Sequence, residues 1–435
     1  MSIRAGTYDV LMRLVRGVSP LVGLGRSKLA RGVQGRAGAA ESLREWAGIH
    51  RDPERPLLWS HAPSVGEGLQ ARAILEALGH MHPGSQRAFT FFSPSAVSLA
   101  EQMPVHVAAY LPWDVRIEVE SVLEALRPAV LSFTKTEVWP GLTAVAVERG
   151  VPVVLTAGTL PAGAGRLRPI ARWLLRDAFG SLERVMAIAT EDAERFTRLG
   201  VAPGRITVTG DPGIDSAWQR ASGVDPGADH LRPFAGDDRP TLVAGSTWPA
   251  DEEVLVSVLA RLRERFSALR VIIAPHEPTP VHLRSLEARL GGSGFRVARL
   301  SAVEERGDAS DVDAVVVDRV GVLAQLYTAG SMAYVGGGFH GNGLHSVLEP
   351  AAAARPCVFG PRHHGSRAAV ELADLQGASG VVDAAGLRRT LEGWLEDPSL
   401  ARETGLRASG YIEQHRGAAM RTAKMLAEYL PVHYE

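Results

Sequence analysis

Ser64 and Glu67 stand three apart in HAPSVGEG, residues 61–68. The segment lies between the apolar run Pro56 to Trp59 and a stretch with apolar residues at helical spacing (Leu69, Ala73, Ile74, Ala77, Leu78), so it reads as a strand-to-helix turn. S-x-x-E at a helix start is the capping box: the serine oxygen accepts from an N–H of the first turn and the glutamate reaches back to the serine N–H. A carboxylate in that place is also a candidate base for a hydroxyl proton, so Glu67 is read both as a cap and as a proton acceptor. SFTKTEVWPG puts Lys135 and Glu137 just past a second strand end, with Trp139-Pro140 opening the next helix. The two charges are either an exposed ion pair, worth little, or a charged lining opposite Glu67.

The second half carries a different chemistry. AYVGGGFHGNGLHSVLEP, residues 333–350, runs from a strand through a glycine-rich turn into a helix. Backbone N–H groups of Gly337 and Gly338 in such a turn suit a phosphate. Gly336, Gly338 and Gly341 match G-x-G-x-x-G, but no acid ends a strand about 20 residues on, so a dinucleotide site is discounted. Glu349 opens the following helix, where it either accepts from ribose hydroxyls or simply sits at the positive end of the helix dipole. LVAGSTWPADEE offers Ser246 or Thr247 as a helix cap whose hydroxyl or N–H could also meet a phosphate. VIIAPHEPTP places His276 and Glu277 after a strong strand. Fourteen histidines invite a metal, yet none has the H-E-x-x-H or cysteine-assisted spacing of a metal site. No G-x-S-x-G elbow, Walker A sequence or kinase signature is present, which leaves serine hydrolysis and nucleoside triphosphate chemistry without support.

These residues follow apolar runs: PLLWSHA, AFTFFS, AVLSFT, VPVVLTAG and VMAIAT in the first half, then TLVAGS, LRVIIAP, DAVVVD, AYVGGG and CVFG. Alternating with helical stretches, they give the rhythm of an α/β protein with parallel sheets covered on both faces. At 435 residues the chain exceeds a single core, and two domains of roughly 200 residues are expected. The Gly-, Pro- and Asp-rich stretch 223–240 reads as the linker between an N-terminal domain, 1–222, and a C-terminal domain, 241–435. The helical spacing near 409–430 is that of a helix that caps the second domain or crosses back to the first. Two doubly wound domains leave a cleft, with ligands at the carboxyl ends of the strands.

The balance of 47 basic and 48 acidic residues excludes a generally basic nucleic-acid binder. Charge is local instead: residues 1–51 carry nine Arg or Lys (Arg4, Arg13, Arg16, Arg26, Lys28, Arg31, Arg36, Arg44, Arg51) against three acids. YDVLMRLVRGVSPLVGLG is interrupted by Arg13 and Arg16 and carries Pro20, so it reads as an amphipathic helix, either lying on an anionic membrane surface or packed on its own domain, rather than as a span. The single cysteine, Cys357, excludes an internal disulfide and reads as a buried, inert thiol.

Taken together and in order, HAPSVGEG, LPWD, KTEVWP, VTGDPGID, GSTWPADEE, IIAPHEP, VGVLAQLYTAGSMAYVGGGF and LHSVLEPAAAARPCVFGP resemble the Kdo transferases of lipopolysaccharide synthesis, which move 3-deoxy-manno-octulosonate from CMP-Kdo to a lipid A precursor. The likeness runs from about residue 20 to about residue 425. It implies a GT-B fold of two Rossmann-like domains facing a cleft, an acceptor-binding first domain and a CMP-Kdo-binding second one, and an inverting transfer without metal or cofactor. The family's general base falls on Glu67, with Ser64 and Gly66 on the acceptor side. Its charged group near the reacting sugar falls on Lys135 and Glu137. Its CMP contacts fall on Pro275 and His276, on Val320, Gly321 and Val322, and on Ser346 to Glu349, with His345 and the Ser246–Thr247 and Gly337–Gly338 turns beside them. Members sit at the cytoplasmic face of the inner membrane, held by an N-terminal segment.

The chain also departs from that pattern. Lys135 stands where glutamate is common, Ser346 where asparagine is, Gly158 where arginine is, Gly213 where a basic residue is, and Trp248 where histidine is; PHEP replaces Pro-Arg-His-Pro. Lys135, Arg166, Arg319 or Arg362 would have to replace the missing cations. Otherwise the chain uses another nucleotide sugar or acceptor, or only binds.

Overall fold

The computed structural model describes residues 3–431 except 24, 26 and 342, without the side chains of residues 3–5, 20–22 and 28. Arg26, Asn342 and the side chains of Arg4 and Lys28 therefore lie outside the described residues. The chain forms two compact units, Met1–Ser216 with Arg416–Glu435, and Ala217–His415.

The first unit is built on seven parallel strands: β1 (Leu57–His61), β2 (Gln86–Phe91), β3 (Val107–Tyr110), β4 (Val130–Thr134), β5 (Val153–Gly158), β6 (Arg184–Ala187) and β7 (Ile206–Val208), in the order β3-β2-β1-β4-β5-β6-β7. Strand alternation sorts side chains to the two faces. Leu57, Trp59, Leu131, Phe133, Val153 and Leu155 pack in one core, while Leu58, Val130, Val154 and Met186 pack in the other. That second core also takes Ala71, Ile74 and Leu78 of the helix Val65–Met81, and Ala419, Ala423 and Leu426 of the helix Ala418–Ala427. The end of the chain thus crosses back to the first sheet. Gly417, at φ +92°, breaks the expected continuous helix, and Asp215 accepts from the N–H groups of Gly417 (2.6 Å) and Ala419 (2.9 Å).

The second unit repeats the plan with β8 (Thr241–Thr247), β9 (Arg270–Pro275), β10 (Val297–Arg299), β11 (Ala314–Val316), β12 (Met332–Val335), β13 (Cys357–Phe359) and β14 (Ala378–Gly380), in the order β10-β11-β9-β8-β12-β13-β14. Both sheets are doubly wound α/β structures. Residues 223–240, expected as the linker, belong with this unit. Leu231 and Phe234 are buried, and Arg270 lies over the Phe234 ring while pairing with Asp237 at 2.6 Å. Cys357 is fully buried in β13, and burial pushes its thiol up to about 12.

The helix Ile3–Gly23 packs on the first unit through Met12, through Asp9, which accepts from the Arg116 N–H, and through an ion pair of Arg16 with Glu118 at 2.6 Å. Its other face leaves Val10, Leu11, Leu14, Val15 and Val18 exposed. Among the described residues no helix is long and apolar enough to cross a membrane.

Candidate active site

In the first sheet the strand order reverses between β1 and β4, the place where open α/β sheets bind ligands. Glu67, third residue of the helix Val65–Met81, follows β1; Lys135 follows β4 directly, with φ +67° in the left-handed region that a lysine rarely adopts. The Lys135 Nζ donates to Glu67 Oε1 at 2.8 Å, and the Ser64 hydroxyl donates to Oε2. Burial alone would raise the Glu67 carboxyl, but the Lys135 ammonium and the Ser64 hydroxyl outweigh it and hold the group below the usual carboxylate range.

The expected capping box does not form. Ser64 is the N-cap residue with extended backbone, yet its side chain caps no helix N–H. The Ser64 hydroxyl instead donates to the ionised Glu67 carboxylate, a charge-assisted bond that orients it away from the helix N–H groups. Gly66 is exposed, and a Cβ there would meet nothing within 4 Å, so this turn is open on the side assigned to the acceptor.

Glu137 faces away from Lys135 in its pairing: it accepts from Arg166 at 2.9 Å. Trp139 donates through its indole N–H to His61 Nε2 at 3.3 Å, and His61 Nδ1 lies 3.1 Å from the Thr90 hydroxyl. His61 is fully buried, and burial lowers it to about 3, so it is a neutral support of the turn rather than a proton carrier.

In the second sheet the reversal falls between β8 and β12. Neither Ser246 nor Thr247 caps the following helix, Pro249–Arg265. Thr247 is buried and donates to Glu252 at 2.9 Å, Ser246 turns at φ +54°, and Asp251 caps the helix by accepting from the Trp248 N–H at 3.0 Å. Asp251 is wholly buried and also accepts from the Tyr334 hydroxyl (2.9 Å), the Gly337 N–H (2.8 Å) and the Phe339 N–H (3.1 Å).

This corrects the phosphate reading for the Gly337 amide. The amides of Gly337 and Phe339 are directed at Asp251, and that of Gly336 at the Gly245 carbonyl. The glycines themselves answer to backbone packing, since a Cβ on Gly336 would collide with the Ser246 carbonyl and one on Gly338 with Gly360. A phosphate at this turn has to be met by groups other than these three amides.

The side chains beside the turn are rings. Trp248 stacks on His340 (centroids 4.4 Å apart) and His276 (4.7 Å), and its indole N–H donates to His345 at 3.1 Å. His276 also stacks on His345 at 4.4 Å. Burial, with His276 and His340 adding to it, lowers His345 to about 4. Pro275 ends β9 immediately before this cluster. Among the described residues no three His, Cys, Asp or Glu are arranged to hold a metal ion.

Val320, Gly321 and Val322 form the turn before the helix Leu323–Ala329; Val320 is exposed and Gly321 turns at φ +96°. Ser346 accepts from the Leu348 N–H at 3.3 Å, and Glu349 pairs with Arg220. Of the candidate replacement cations, Lys135 is held by Glu67, Arg166 by Glu137, and Arg319 by Glu304. Arg362 is exposed, its backbone N–H bonds the Gly338 carbonyl at 3.0 Å, and no ion pair holds it among the described residues.

Residues 34–216 match the family model described as 3-deoxy-D-manno-octulosonic-acid transferase (kdotransferase). Proteins named 3-deoxy-D-manno-octulosonic acid transferase are similar over most of their length: that of Bordetella pertussis is 28% identical, covering 98% of this chain and 99% of its own, and that of Chlamydophila psittaci is 26% identical, covering 86% of each. Among solved structures, the UDP-GlcNAc 2-epimerase of Neisseria meningitidis bound to UDP-GlcNAc matches with a TM-score of 0.59 at 12% identity (86% of this chain, 99% of that one). A glycosyltransferase of Rickettsia africae matches with a TM-score of 0.56 at 10% identity (86% and 98%). These likenesses bear on the fold alone, which is of the GT-B type. Sequence similarity to the 3-deoxy-D-manno-octulosonic acid (Kdo) transferases thus runs nearly end to end, at 24–28% identity, and the family model covers most of the first unit.

Proposed function

We propose that this protein transfers Kdo from CMP-Kdo to a lipid A precursor with inversion and without a metal, using Glu67 as the general base. The observation that carries this reading is the Glu67 carboxylate at the β1–β4 reversal, kept ionised by Lys135 and Ser64. An ionised carboxylate within hydrogen-bond reach of an acceptor hydroxyl can take its proton as the oxygen attacks the sugar. The leaving CMP is held by the second unit, where the Trp248, His276 and His345 rings offer stacking and Arg362 offers a cation for phosphate. The activity for which the relatives are named supports the donor sugar.

The same reading places the protein at the cytoplasmic face of the inner membrane, lying on it rather than crossing it. The exposed apolar face of the helix Ile3–Gly23 supports this, together with exposed Ile170 and Trp173 on the helix Pro169–Gly180 and exposed Arg168, Arg172 and Arg176 at one-turn spacing along it.

Incubation of the purified protein with CMP-Kdo and a lipid A precursor tests the reading. Acceptor-dependent CMP release is expected. Tight CMP binding with no release would overturn it, and turnover of a different nucleotide sugar would move the assignment to that donor.

A further inference from the structure

The pairing that keeps Glu67 ionised also blocks it, because an oxygen that accepts from an ammonium group is a poor base. Lys135 must leave Oε1 before a hydroxyl can give up its proton there, and its half-exposed side chain is free to turn to another anion nearby. Asp211 is placed for that. The turn after β7 brings it against the helix Val65–Met81, where Gln70, one turn beyond Glu67, donates to Asp211 Oδ1 at 2.8 Å. The Gly213 N–H donates to the same oxygen at 2.7 Å, capping the helix Pro212–Ser222. Both described bonds fall on Oδ1, so the structural duties of this carboxyl leave Oδ2 to other partners.

Resting on the reading of Glu67 as base, we propose that Asp211 is the second seat of Lys135: as the acceptor hydroxyl reaches Glu67, the ammonium passes from Glu67 to Asp211 and frees Oε1 to take the proton. Asp211 is a positioning residue in this account, acting through Lys135.

The surrounding charges agree. Asp211 faces Lys135, with Asp215 on its own helix and Arg421 reaching the adjacent Gly210 from the terminal helix. Burial raises the Asp211 carboxyl and the negative Asp215 adds to that, while Gly213, Gln70 and Lys135 act in the opposite sense. The two carboxyls that feel the Lys135 charge are therefore pushed apart, Glu67 downward and Asp211 upward.

The chain has three lysines, Lys28, Lys135 and Lys424, so reductive ¹³C-dimethylation, which keeps the charge, gives a readable spectrum; Lys135→Arg assigns its resonance. Titration of the wild-type protein is expected to move the Lys135 signal in two steps, the lower from Glu67 and the upper from Asp211. Asp211→Asn is expected to abolish the upper step and keep the lower, and Gln70→Met, which removes a bond favouring the ionised form, to raise the upper one. In transfer assays Asp211→Asn is expected to lower kcat about tenfold with acceptor KM little changed, and Asp211→Glu to recover part of the loss. A Lys135 titration unmoved by both Asp211→Asn and Gln70→Met would overturn the proposal. If the wild-type protein transfers no Kdo, the proposed function fails, while the spectrum still tests the pairing.

Discussion

His61 and Asp251 mark what a single side chain does here and what its sequence context reveals. The His61 imidazole, with its proton on Nδ1 for Thr90 and Nε2 accepting from Trp139, is satisfied only when neutral. Its folded value of about 3 lies below the ordinary 6.5. The unfolded chain therefore takes up this proton first as pH falls, and the stability it contributes is fully present above 6.5 and lost on the way down to about 3. Near pH 5 this amounts to about 2 kcal/mol. Melting curves should show a falling midpoint between neutral pH and pH 5, and His61→Gln should flatten that fall; an equally steep fall in the variant would assign it to other groups. Glu67 and Lys135 could be picked out as site candidates because both lie shortly past apolar runs, but the Ser64–Glu67 cap was misread, since a short motif does not show that a lysine 68 residues away competes for the same carboxylate. Asp251 appeared in the sequence only as one acid in a helix start. Its partners Tyr334, Gly337 and Phe339 lie 83 to 88 residues away, a convergence that only the sheet order creates.

At the scale of elements, that convergence means that Asp251 ties together the start of the helix Pro249–Arg265, the end of β12 and the glycine turn. Asp251→Asn keeps the size but turns amide hydrogens toward two of the four donors, since each carboxylate oxygen accepts from two. It should cost about 3 kcal/mol of stability and weaken CMP binding, measured by denaturant unfolding and calorimetry; unchanged CMP affinity in a folded variant would show that the turn's shape is not part of the donor site. The ten apolar runs read as strands are all strands, and the four strands they miss are β3, β7, β10 and β14, the two edges of each sheet. The reason is physical: an edge strand has one neighbour and stays partly exposed, so its three or four residues need not be continuously apolar. The 223–240 stretch misled for a related cause, because two buried side chains, Leu231 and Phe234, suffice to fasten a segment that is otherwise Gly-, Pro- and Asp-rich.

For the whole molecule, the N-terminal helix meets one of its two sequence readings, packing on its own domain, and leaves the other, lying on a membrane, to its opposite face. One face holds Met12 and Asp9 against the first unit, and the other presents Val10, Leu14 and Val18 outward. Flotation with anionic vesicles should recover the wild-type protein and lose most of a Leu14→Glu, Trp173→Ala variant that keeps its melting temperature; equal flotation of the two would exclude this face. The central claim concerns Glu67, and single-turnover transfer from CMP-Kdo to a lipid A precursor by the wild-type and Glu67→Gln proteins tests it most directly. Glutamine preserves the side chain's size and can still accept from Ser64 but takes no proton. The account predicts transfer by the wild type and a loss of about 10²–10⁴-fold in the variant with folding and CMP binding intact; near-normal transfer by a folded Glu67→Gln protein would contradict it.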